Sequence, residues 1–343
     1  MDTVHILFIA VVITVIMYDF TNGFHDAADM IATAIASHSI RPSVAIALVG
    51  IFTFLGPLLV GLAVADTIGT FVDIKDVDVT YAQSVVIAAL LAAVSYNLIT
   101  WYFGLPSSSS NSLAGGLVGA GLMVVGSSHI HWGIEALYHG KLEGLMKVVA
   151  GLLISPFFAF LIGFLLLKLM LYIFRNFTVK IKPLFIITQY FSISWLGFSH
   201  GANDAQKGMA IIGMMLLASG YSSTFTVPFW AIVICTSAIT LGTIFGGWNI
   251  IKTLGFEIYK IKLIDSVANQ LGAALTNTIA TSIGAPTSTT QIVTSTLLGN
   301  GTARNPRRVN WNVAKSIVLG WILNIPTSIV LGAVYAYFLI RIL

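Results

Sequence analysis

Charged side chains are scarce in this sequence. Only 9% of its 343 residues are Asp, Glu, Lys or Arg, whereas a soluble globular protein carries about 25% and needs them to cover its surface. Hydrophobic residues make up 57% of the chain, and its mean hydropathy is +0.92. These values exclude a water-soluble protein and predict that most of the surface contacts the lipid bilayer.

Cysteine is nearly absent as well. Cys235 is the single one, which excludes a disulfide within the chain and a cysteine-ligated metal site. Nucleic-acid binding needs Lys and Arg gathered on one accessible face, whereas the 17 here are distributed between apolar runs, so we expect no nucleic-acid partner. No basic segment precedes the first apolar run, which we expect to remain as a helix rather than to be removed as a signal peptide.

An internal repeat is the main feature that the sequence does contain. The Gly-Phe-His-Asp-Ala motif around Asp26 matches the Gly-Ala-Asn-Asp-Ala motif around Asp204, about 178 residues later. Two Pro-Ser/Thr segments, one beginning at Pro106 and the other at Pro286, match at nearly the same offset. We therefore predict one integral membrane domain composed of a first transmembrane repeat (1–176), a short cytoplasmic linker (177–184) and a second transmembrane repeat (185–343).

Each half divides into six apolar pieces, and several are shorter than the ~20 residues that a spanning helix needs. Matching loops differ in charge, which indicates that the halves are inverted and that each has an odd number of crossings. Three crossings result if the first two pieces form one interrupted helix and if residues 80–126 and 265–300 each form a helical hairpin. The predicted fold is an all-α polytopic membrane protein of two inverted-topology repeats with about 10–12 membrane helices.

Charge placement also predicts the orientation in the membrane. Basic residues mark cytoplasmic loops, and three basic clusters on that side leave both termini outside the cytoplasm. In the first half, the loop that matches one of these clusters is acidic. The basic residues are Lys168, Arg175, Lys180, Lys182, Lys252, Lys260, Lys262, Arg304, Arg307 and Arg308, and the acidic loop carries Asp66, Asp73, Asp76 and Asp78 around Lys75.

Each hairpin should turn at a proline, because Pro106 and Pro286 lack a backbone donor and bias the preceding residue away from helix. The hydroxyl residues that follow would begin a new half-helix, where free N–H groups and the positive dipole end favour an anion. Capping of the helices or contacts between helices are the alternative roles for these hydroxyls. The residues are Ser107, Ser108, Ser109, Ser110, Thr287, Ser288, Thr289 and Thr290.

Asp26 and Asp204 are the second duplicated feature. A carboxylate at mid-bilayer costs at least ~2.5–3.5 kcal/mol and is therefore expected to have a function. It becomes useful beside an anion if it binds a co-transported cation or proton, or accepts a hydrogen bond from a protonated oxyanion. These residues therefore predict an anion carried together with a cation, whereas capping of the following helices is the alternative.

The two copies of the Asp motif differ at their neighbouring positions. His25 aligns with Asn203, and Asn22 aligns with His200, so each copy has one imidazole and one amide beside its Asp. The histidines either take up protons or orient an Asp. Asp29 aligns with Lys207, and we expect the two to form an internal ion pair, with a contribution of Lys207 to the anion site as the alternative.

Polar groups on the first arms of the hairpins are candidates for the coupling cation. Asn97, Asn277, Gln83 and Gln270 offer uncharged carbonyl oxygens, which suit an alkali cation, although hydrogen bonding between helices explains them nearly as well. Three further aspartates lie at segment edges and are expected to face headgroups or water. They are Asp19, Asp66 and Asp265. No metal site is predicted, because the loop that carries His129, His131 and His139 is too loose.

Four segments carry a resemblance to a known family: residues 22–26, 101–109, 197–208 and 286–290. They resemble the duplicated signatures of the PiT inorganic phosphate transporter family, and within it the bacterial low-affinity phosphate transporters. The likeness covers nearly the whole chain. Two departures concern the cation, because family members commonly have Asn where Asp29 stands and many have Asn where His25 stands.

The resemblance implies a symporter that moves inorganic phosphate across the cytoplasmic membrane with Na⁺, H⁺ or a metal–phosphate complex. It implies no resident cofactor and no enzymatic activity, and a homodimer is one option for its assembly. The expected phosphate-binding residues are Asp26, Asp204, Asn203, His25 and the eight hydroxyl residues named above, and the expected cation-binding residues are Asp26, Asp204, Asn22, Asn97, Asn277, Gln83 and Gln270.

Two rival functions follow from the same residues. Paired membrane aspartates are typical of an intramembrane aspartyl protease, but that function does not account for the duplicated Pro-Ser/Thr segments. A transporter of sulfate would use the same segments. Phosphate keeps an ionisable proton near neutral pH that sulfate lacks, so an acceptor such as Asp26 favours phosphate.

Overall fold

The computed structural model describes residues 3–69, 77–176 and 179–342, which form 13 α-helices and no strand. The predicted all-α class is thereby confirmed. The first half contains α1 (Thr3–Ala36), α2 (Pro42–Leu59), α3 (Ala63–Gly69), α4 (Val79–Tyr102), α5 (Ser109–Val124), α6 (Ile134–Tyr138) and α7 (Gly144–Ile173). The second half contains α8 (Lys182–Ala218), α9 (Phe229–Phe245), α10 (Trp248–Lys252), α11 (Leu263–Ser282), α12 (Thr289–Arg304) and α13 (Trp311–Ile342).

Several of these helices can cross a membrane. Among the described residues, α1, α2, α4, α7 and α13 are long and apolar enough to do so. A sixth span is formed if α9 and α10 are counted together, although the chain bends by 61° at the Gly246-Gly247 break between them. Many large apolar side chains of these helices point outward and remain exposed, as lipid-facing residues do. The chain is therefore a polytopic membrane protein.

Both predicted hairpins are present. α4 and α5 form the first, and α11 and α12 form the second. Each turns at a glycine with positive φ, +66° at Gly104 and +64° at Gly284, two residues before the proline. We call residues 104–110 the first tip and residues 284–290 the second tip. A left-handed glycine and a proline that cannot continue the helix together explain why the chain reverses at these points.

The predicted interruption of the first crossing in each half is wrong. α1 runs unbroken through Gly23, and α8 runs unbroken through Gly201. These glycines allow close packing instead, because an added Cβ would overlap the carbonyl oxygen of Ile239 at Gly23 and that of Thr53 at Gly201. Interrupted helices do occur, but after the second long helix of each half, where α2 is followed by α3 and α9 by α10.

Corresponding helices of the two halves pack against corresponding helices of the opposite half. α1 packs against α9, and its counterpart α8 packs against α2. In the same way α5 packs against α13, whereas its counterpart α12 packs against α7. This arrangement interlocks the halves and agrees with a duplicated fold. The opposite membrane orientation of the halves, the boundaries of the repeats and the side of the termini stay predictions. Asp73, Lys75, Asp76 and residues 177–178 of the linker lie outside the described residues.

The short helices that follow the interruptions hold the hairpin tips. Thr67 of α3 donates a hydrogen bond to the carbonyl oxygen of Gly284 at 2.7 Å. Thr253, in the π-helical turn that continues α10, donates to the carbonyl oxygen of Gly104 at 3.1 Å. Each half therefore supplies a threonine that fixes the tip of the other half.

Gly201→Ala should lower the thermal unfolding temperature of the detergent-purified protein, because the new methyl group overlaps the backbone of Thr53. Overpacking of this kind costs about 1–3 kcal/mol. Gly320→Ala is the matched control, since an added Cβ there meets no described atom within 4 Å. Equal unfolding temperatures for the two variants would contradict the close approach of α2 and α8.

Candidate functional site

The tips of both hairpins meet the middles of α1 and α8 at one buried place. Asp26 and Asp29 come from α1, and Asp204 and Lys207 come from α8. All four side chains are essentially inaccessible, with exposed fractions of 0–1%. We call these four residues the central cluster. Charged groups inside a membrane protein are costly unless they are paired or have a function, so their convergence makes this place the candidate functional site.

The second tip binds the α1 part of the cluster. The hydroxyl of Thr290 lies 2.8 Å from Asp26 Oδ1 and also contacts Asp29 Oδ2. The other oxygen of Asp29 has no hydrogen-bond partner within the described part of the chain. One hydroxyl therefore lies between two carboxyl groups, and this half of the cluster is rich in carboxyl oxygens.

The first tip binds the α8 part of the cluster. Lys207 Nζ lies 2.8 Å from Asp204 Oδ1 and donates to Ser110 Oγ at 2.5 Å. It also donates to the carbonyl oxygen of Thr287 at 3.0 Å, so the ammonium touches both tips. Ser109 Oγ donates to Asn22 Oδ1 at 2.6 Å. The Asn22 amide donates in turn to Asp204 Oδ2 at 3.2 Å.

The predicted ion pair between Asp29 and Lys207 is wrong. Lys207 instead pairs with Asp204, which stands three residues earlier on the same helix. Residues three apart on a helix lie on one face, so this pairing needs no approach of the two halves. Asp29 is left with Thr290 as its hydrogen-bond partner among the described residues.

The two histidines occupy different places in the site. His200 lies between the halves, with Nδ1 3.8 Å from both Asp26 Oδ2 and Asp204 Oδ2 and 3.2 Å from Thr289 Oγ1. His25 is buried beside Asp26, with Nδ1 3.5 Å from Oδ1. Neither ring nitrogen of His25 has a hydrogen-bond partner in the described ranges.

Oxygen and nitrogen ligands therefore converge closely enough for a cation. His25, Asp26 and Asp29 form one group, and Asp26, His200 and Asp204 form another. In each group the ligand atoms lie within 4.8 Å of one another. Carboxylates and hydroxyls are the ligands that hard cations prefer.

The hydroxyls of the tips have divided roles. Ser108 and Ser288 are helix caps: Ser108 Oγ accepts from the backbone N–H of Asn111, and Ser288 Oγ accepts from that of Gln291. For these two the capping alternative holds. Ser110 and Thr290 instead contact charged side chains, and Ser109 is linked to Asp204 through Asn22. Both α5 and α12 begin at the site, so their positive dipole ends face it.

Amide side chains hold the second tip in shape. Asn277 accepts from Thr287 Oγ1 at 2.8 Å and donates to Thr289 Oγ1 at 3.2 Å. Asn203 accepts from the backbone N–H of Thr287 and donates to the carbonyl oxygen of Ala285. The hydrogen bonds of both side chains thus stabilise the conformation of the second tip. Asn97, the counterpart of Asn277, is buried, and its amide nitrogen has no partner in the part of the chain that the structure describes.

Neither of the two predicted glutamines forms a hydrogen bond with the side chains of the central cluster within the described ranges. Gln83 donates to the carbonyl oxygen of Val4, which lies about 33 Å from Asp26 along the continuous α1. Gln270 donates to the carbonyl oxygen of Met30, and its own oxygen accepts from Gln189 and Ser192. Both residues connect helices, which was the alternative interpretation of the sequence.

Two of the three edge aspartates are also not where the sequence placed them. Asp19 is fully buried against Gly208 of α8, and Asp265 is fully buried with Arg304 as its ion-pair partner at 2.5 Å. Only Asp66 is exposed. The sequence of an apolar run does not show how deeply its terminal residue is buried, because burial depends on the other helices that cover that residue.

Sequence reasoning missed two residues that position the site. Asn324 of α13 donates to Ser107 Oγ at 3.2 Å and to the carbonyl oxygen of Ser108 at 2.7 Å, and it accepts from Ser112. Gln206 caps α3 by accepting from the backbone N–H groups of Val64 and Ala65. The sequence did contain one indication of such a role: each residue is a polar amide inside an apolar membrane segment, where an amide without hydrogen-bond partners is costly.

Comparisons with known proteins agree with this geometry. The model of the phosphate transporter family matches residues 22–332. The chain is 39% identical over 329 residues to a probable low-affinity inorganic phosphate transporter of Rhizobium meliloti (strain 1021), covering 95% of each chain. It is 38% identical over 346 residues to a protein of the same description from Bacillus subtilis (strain 168), covering 100% of each.

A solved structure is similar over the whole fold. It is described as the sodium-dependent phosphate transporter, and it superposes with a TM-score of 0.80 at 25% sequence identity. The match covers 98% of this chain and 100% of the other. The interlocked arrangement of the two halves therefore belongs to a known transporter fold.

Asn324→Ala should destabilise the first tip, because the substitution leaves buried hydroxyl and carbonyl groups of Ser107, Ser108 and Ser112 without their partner. Each such loss costs about 1–3 kcal/mol, so the thermal unfolding temperature in detergent should fall clearly. Asn312→Ala is the control, since that side chain of α13 is exposed. If both variants unfold at the wild-type temperature, Asn324 does not hold the tip.

Proposed function

Because the chain belongs to the phosphate transporter family, we propose that it carries inorganic phosphate across the cytoplasmic membrane in symport with a cation. It is a multi-pass membrane transporter and not an enzyme, so the intramembrane protease alternative is abandoned. The observation that carries the proposal is the meeting of two helix N-termini and Lys207 with three buried aspartates. Such a site offers groups for an anion and for a cation at once.

Phosphate oxygens would lie at the two tips. The N-terminal N–H groups of α5 and α12 supply donors that replace hydration water. The hydroxyls of Ser109, Ser110 and Thr290 would join them by exchanging their present acceptors for phosphate oxygens. The ammonium of Lys207 touches both tips and adds a positive charge. A protonated phosphate oxygen would donate to Asp26 or Asp204, which accept hydrogen bonds only while they are ionised.

A cation is needed because the site is otherwise too negative for an anion. With neutral histidines, the carboxylates of the central cluster outnumber its single ammonium, and each uncompensated charge in a membrane is costly. Na⁺ and H⁺ both suit carboxylate oxygens, and the similar solved structure is that of a sodium-dependent transporter by its description. We therefore keep Na⁺ and H⁺ as the candidate coupling ions.

Alternating access would follow from the way the tips are held. Among its contacts with the opposite half, each tip glycine accepts a hydrogen bond from one threonine, Thr67 for the second tip and Thr253 for the first. Release of one of these contacts at a time would open the site to one side of the membrane only. Such opening agrees with the rocking of one repeat against the other in transporters built from inverted repeats.

Sulfate is the competing substrate within this class. It has the shape of phosphate but carries no proton near neutral pH, so it cannot donate to Asp26 or Asp204. A sulfate oxygen and an aspartate carboxylate repel each other, because both are negatively charged acceptors and no proton lies between them. A site lined by carboxylates therefore selects phosphate over sulfate.

Asp26→Asn and Asp204→Asn should each lower phosphate uptake into proteoliposomes by at least ~10-fold, because a charged hydrogen-bond acceptor worth about 1.5–3 kcal/mol is removed. Labelled phosphate uptake is measured together with the thermal unfolding temperature, which shows that each variant is folded. Glu135→Gln, which changes an exposed carboxylate of α6, serves as the control.

Wild-type uptake rates in both Asp variants would overturn the assignment of the site.

A tenfold excess of sulfate, added to the wild-type protein, should leave phosphate uptake unchanged. Strong inhibition by sulfate would instead support a general oxyanion transporter.

A further inference from the structure

Two positions that correspond in the repeats carry opposite charges. Asp29 stands three residues after Asp26 in α1, and Lys207 stands three residues after Asp204 in α8. The neighbouring tip residues also correspond, with Ser110 in the first half and Thr290 in the second. One half of the cluster therefore has two carboxylates and a hydroxyl, whereas the other has a carboxylate, an ammonium and a hydroxyl.

The ammonium of Lys207 has the surroundings of a bound cation. Its nitrogen is fully buried and contacts a carboxylate oxygen of Asp204, the hydroxyl oxygen of Ser110 and the carbonyl oxygen of Thr287, all within 3.0 Å. These three kinds of oxygen are the ligands that alkali cations take in proteins.

The corresponding place in the other half has the ligands without the positive charge. Thr290 contacts both Asp26 and Asp29, and the second oxygen of Asp29 has no partner among the described residues. His25, buried at the same place, also has both ring nitrogens unpartnered within those residues. The ligand atoms of His25, Asp26 and Asp29 lie within 4.8 Å of one another, which is close enough for one cation.

We propose that Lys207 is a tethered cation that permanently fills one of two corresponding cation sites, so that a single external monovalent cation, held by Asp26, Asp29 and Thr290, completes the pair. This inference rests on the proposed cation-coupled transport and specifies its stoichiometry at these two sites. It explains why opposite charges occupy corresponding positions, since each half then holds one positive charge before phosphate arrives: Lys207 beside Asp204, and the external cation beside Asp26 and Asp29.

Removal of the tethered charge should create a second external cation site. Lys207→Gln keeps a side chain of similar length but leaves Asp204, Ser110 and Thr287 free to bind an ion. Wild-type protein and this variant are reconstituted into liposomes, and phosphate is allowed to reach its final accumulation under a series of imposed Na⁺ gradients and, separately, pH gradients. The slope of the logarithm of the phosphate ratio against the logarithm of the cation ratio counts the coupled cations.

We expect the slope of the variant to exceed that of the wild type by one for the driving cation. Lys168→Gln, which removes an exposed positive charge of α7, is the control and should keep the wild-type slope. If the wild-type protein accumulates phosphate but the Lys207 variant has the same slope, this inference is overturned while the proposed function stands. If the wild-type protein accumulates no phosphate under either gradient, the proposed function itself fails.

A second measurement applies if the Lys207 variant does not transport. Thermal unfolding in detergent is followed as Na⁺ replaces choline at constant ionic strength, and as pH is varied, because an ion that binds the folded protein raises its unfolding temperature. The variant should depend on the cation more steeply than the wild type. An identical dependence would contradict a vacated cation site beside Asp204.

Asp29→Asn tests the other half of the pair. Loss of one carboxylate ligand should raise the cation concentration for half-maximal uptake by at least tenfold, while the phosphate concentration for half-maximal uptake at saturating cation changes far less. A merely structural role of Asp29 would shift both concentrations or neither, and that result would contradict its place in the cation site.

Discussion

The burial of three carboxylates and one ammonium inside a membrane protein is the constraint on which the rest of this structure depends. An isolated charge in the bilayer is costly enough that each of these groups needs a partner. Lys207 provides one for Asp204, and the hydroxyl of Thr290 provides a weaker one for Asp26 and Asp29. In the proposed function, a cation balances the carboxyl groups that Lys207 does not pair, and the helix N-termini beside them then favour an anion.

The fold serves this constraint by bringing four separate elements to one point. Two unbroken helices carry the charges, and two hairpins present their tips from the opposite halves. Close packing at Gly23 and Gly201 sets how the carrying helices meet their neighbours, whereas Thr67 and Thr253 hold the tips. Each half therefore completes the site of the other, and neither half contains the full cluster.

Local constraints explain which parts could be predicted from the sequence. The hairpin turns were predicted correctly because Pro106 and Pro286 lack the backbone donor that a continuing helix needs, and each follows a glycine that can adopt positive φ. Continuity at Gly23 was not predicted, since a glycine permits either a break or a close approach, and only the partner helix decides between them. The ion-pair partner of Lys207 was not predicted, because it depends on which carboxylate this one side chain reaches. The role of Asn324 was not predicted either, because it depends on the contact of α13 with a tip that is distant in sequence.

The central claim is that a cation makes this negatively charged site accept phosphate. The most direct measurement is phosphate accumulation in proteoliposomes under a Na⁺ gradient and a pH gradient, each imposed alone. The account predicts that one of the two gradients raises internal phosphate above the external concentration and that dissipation of this gradient returns it to equality. Simple equilibration of phosphate, whatever gradient is imposed, would contradict it.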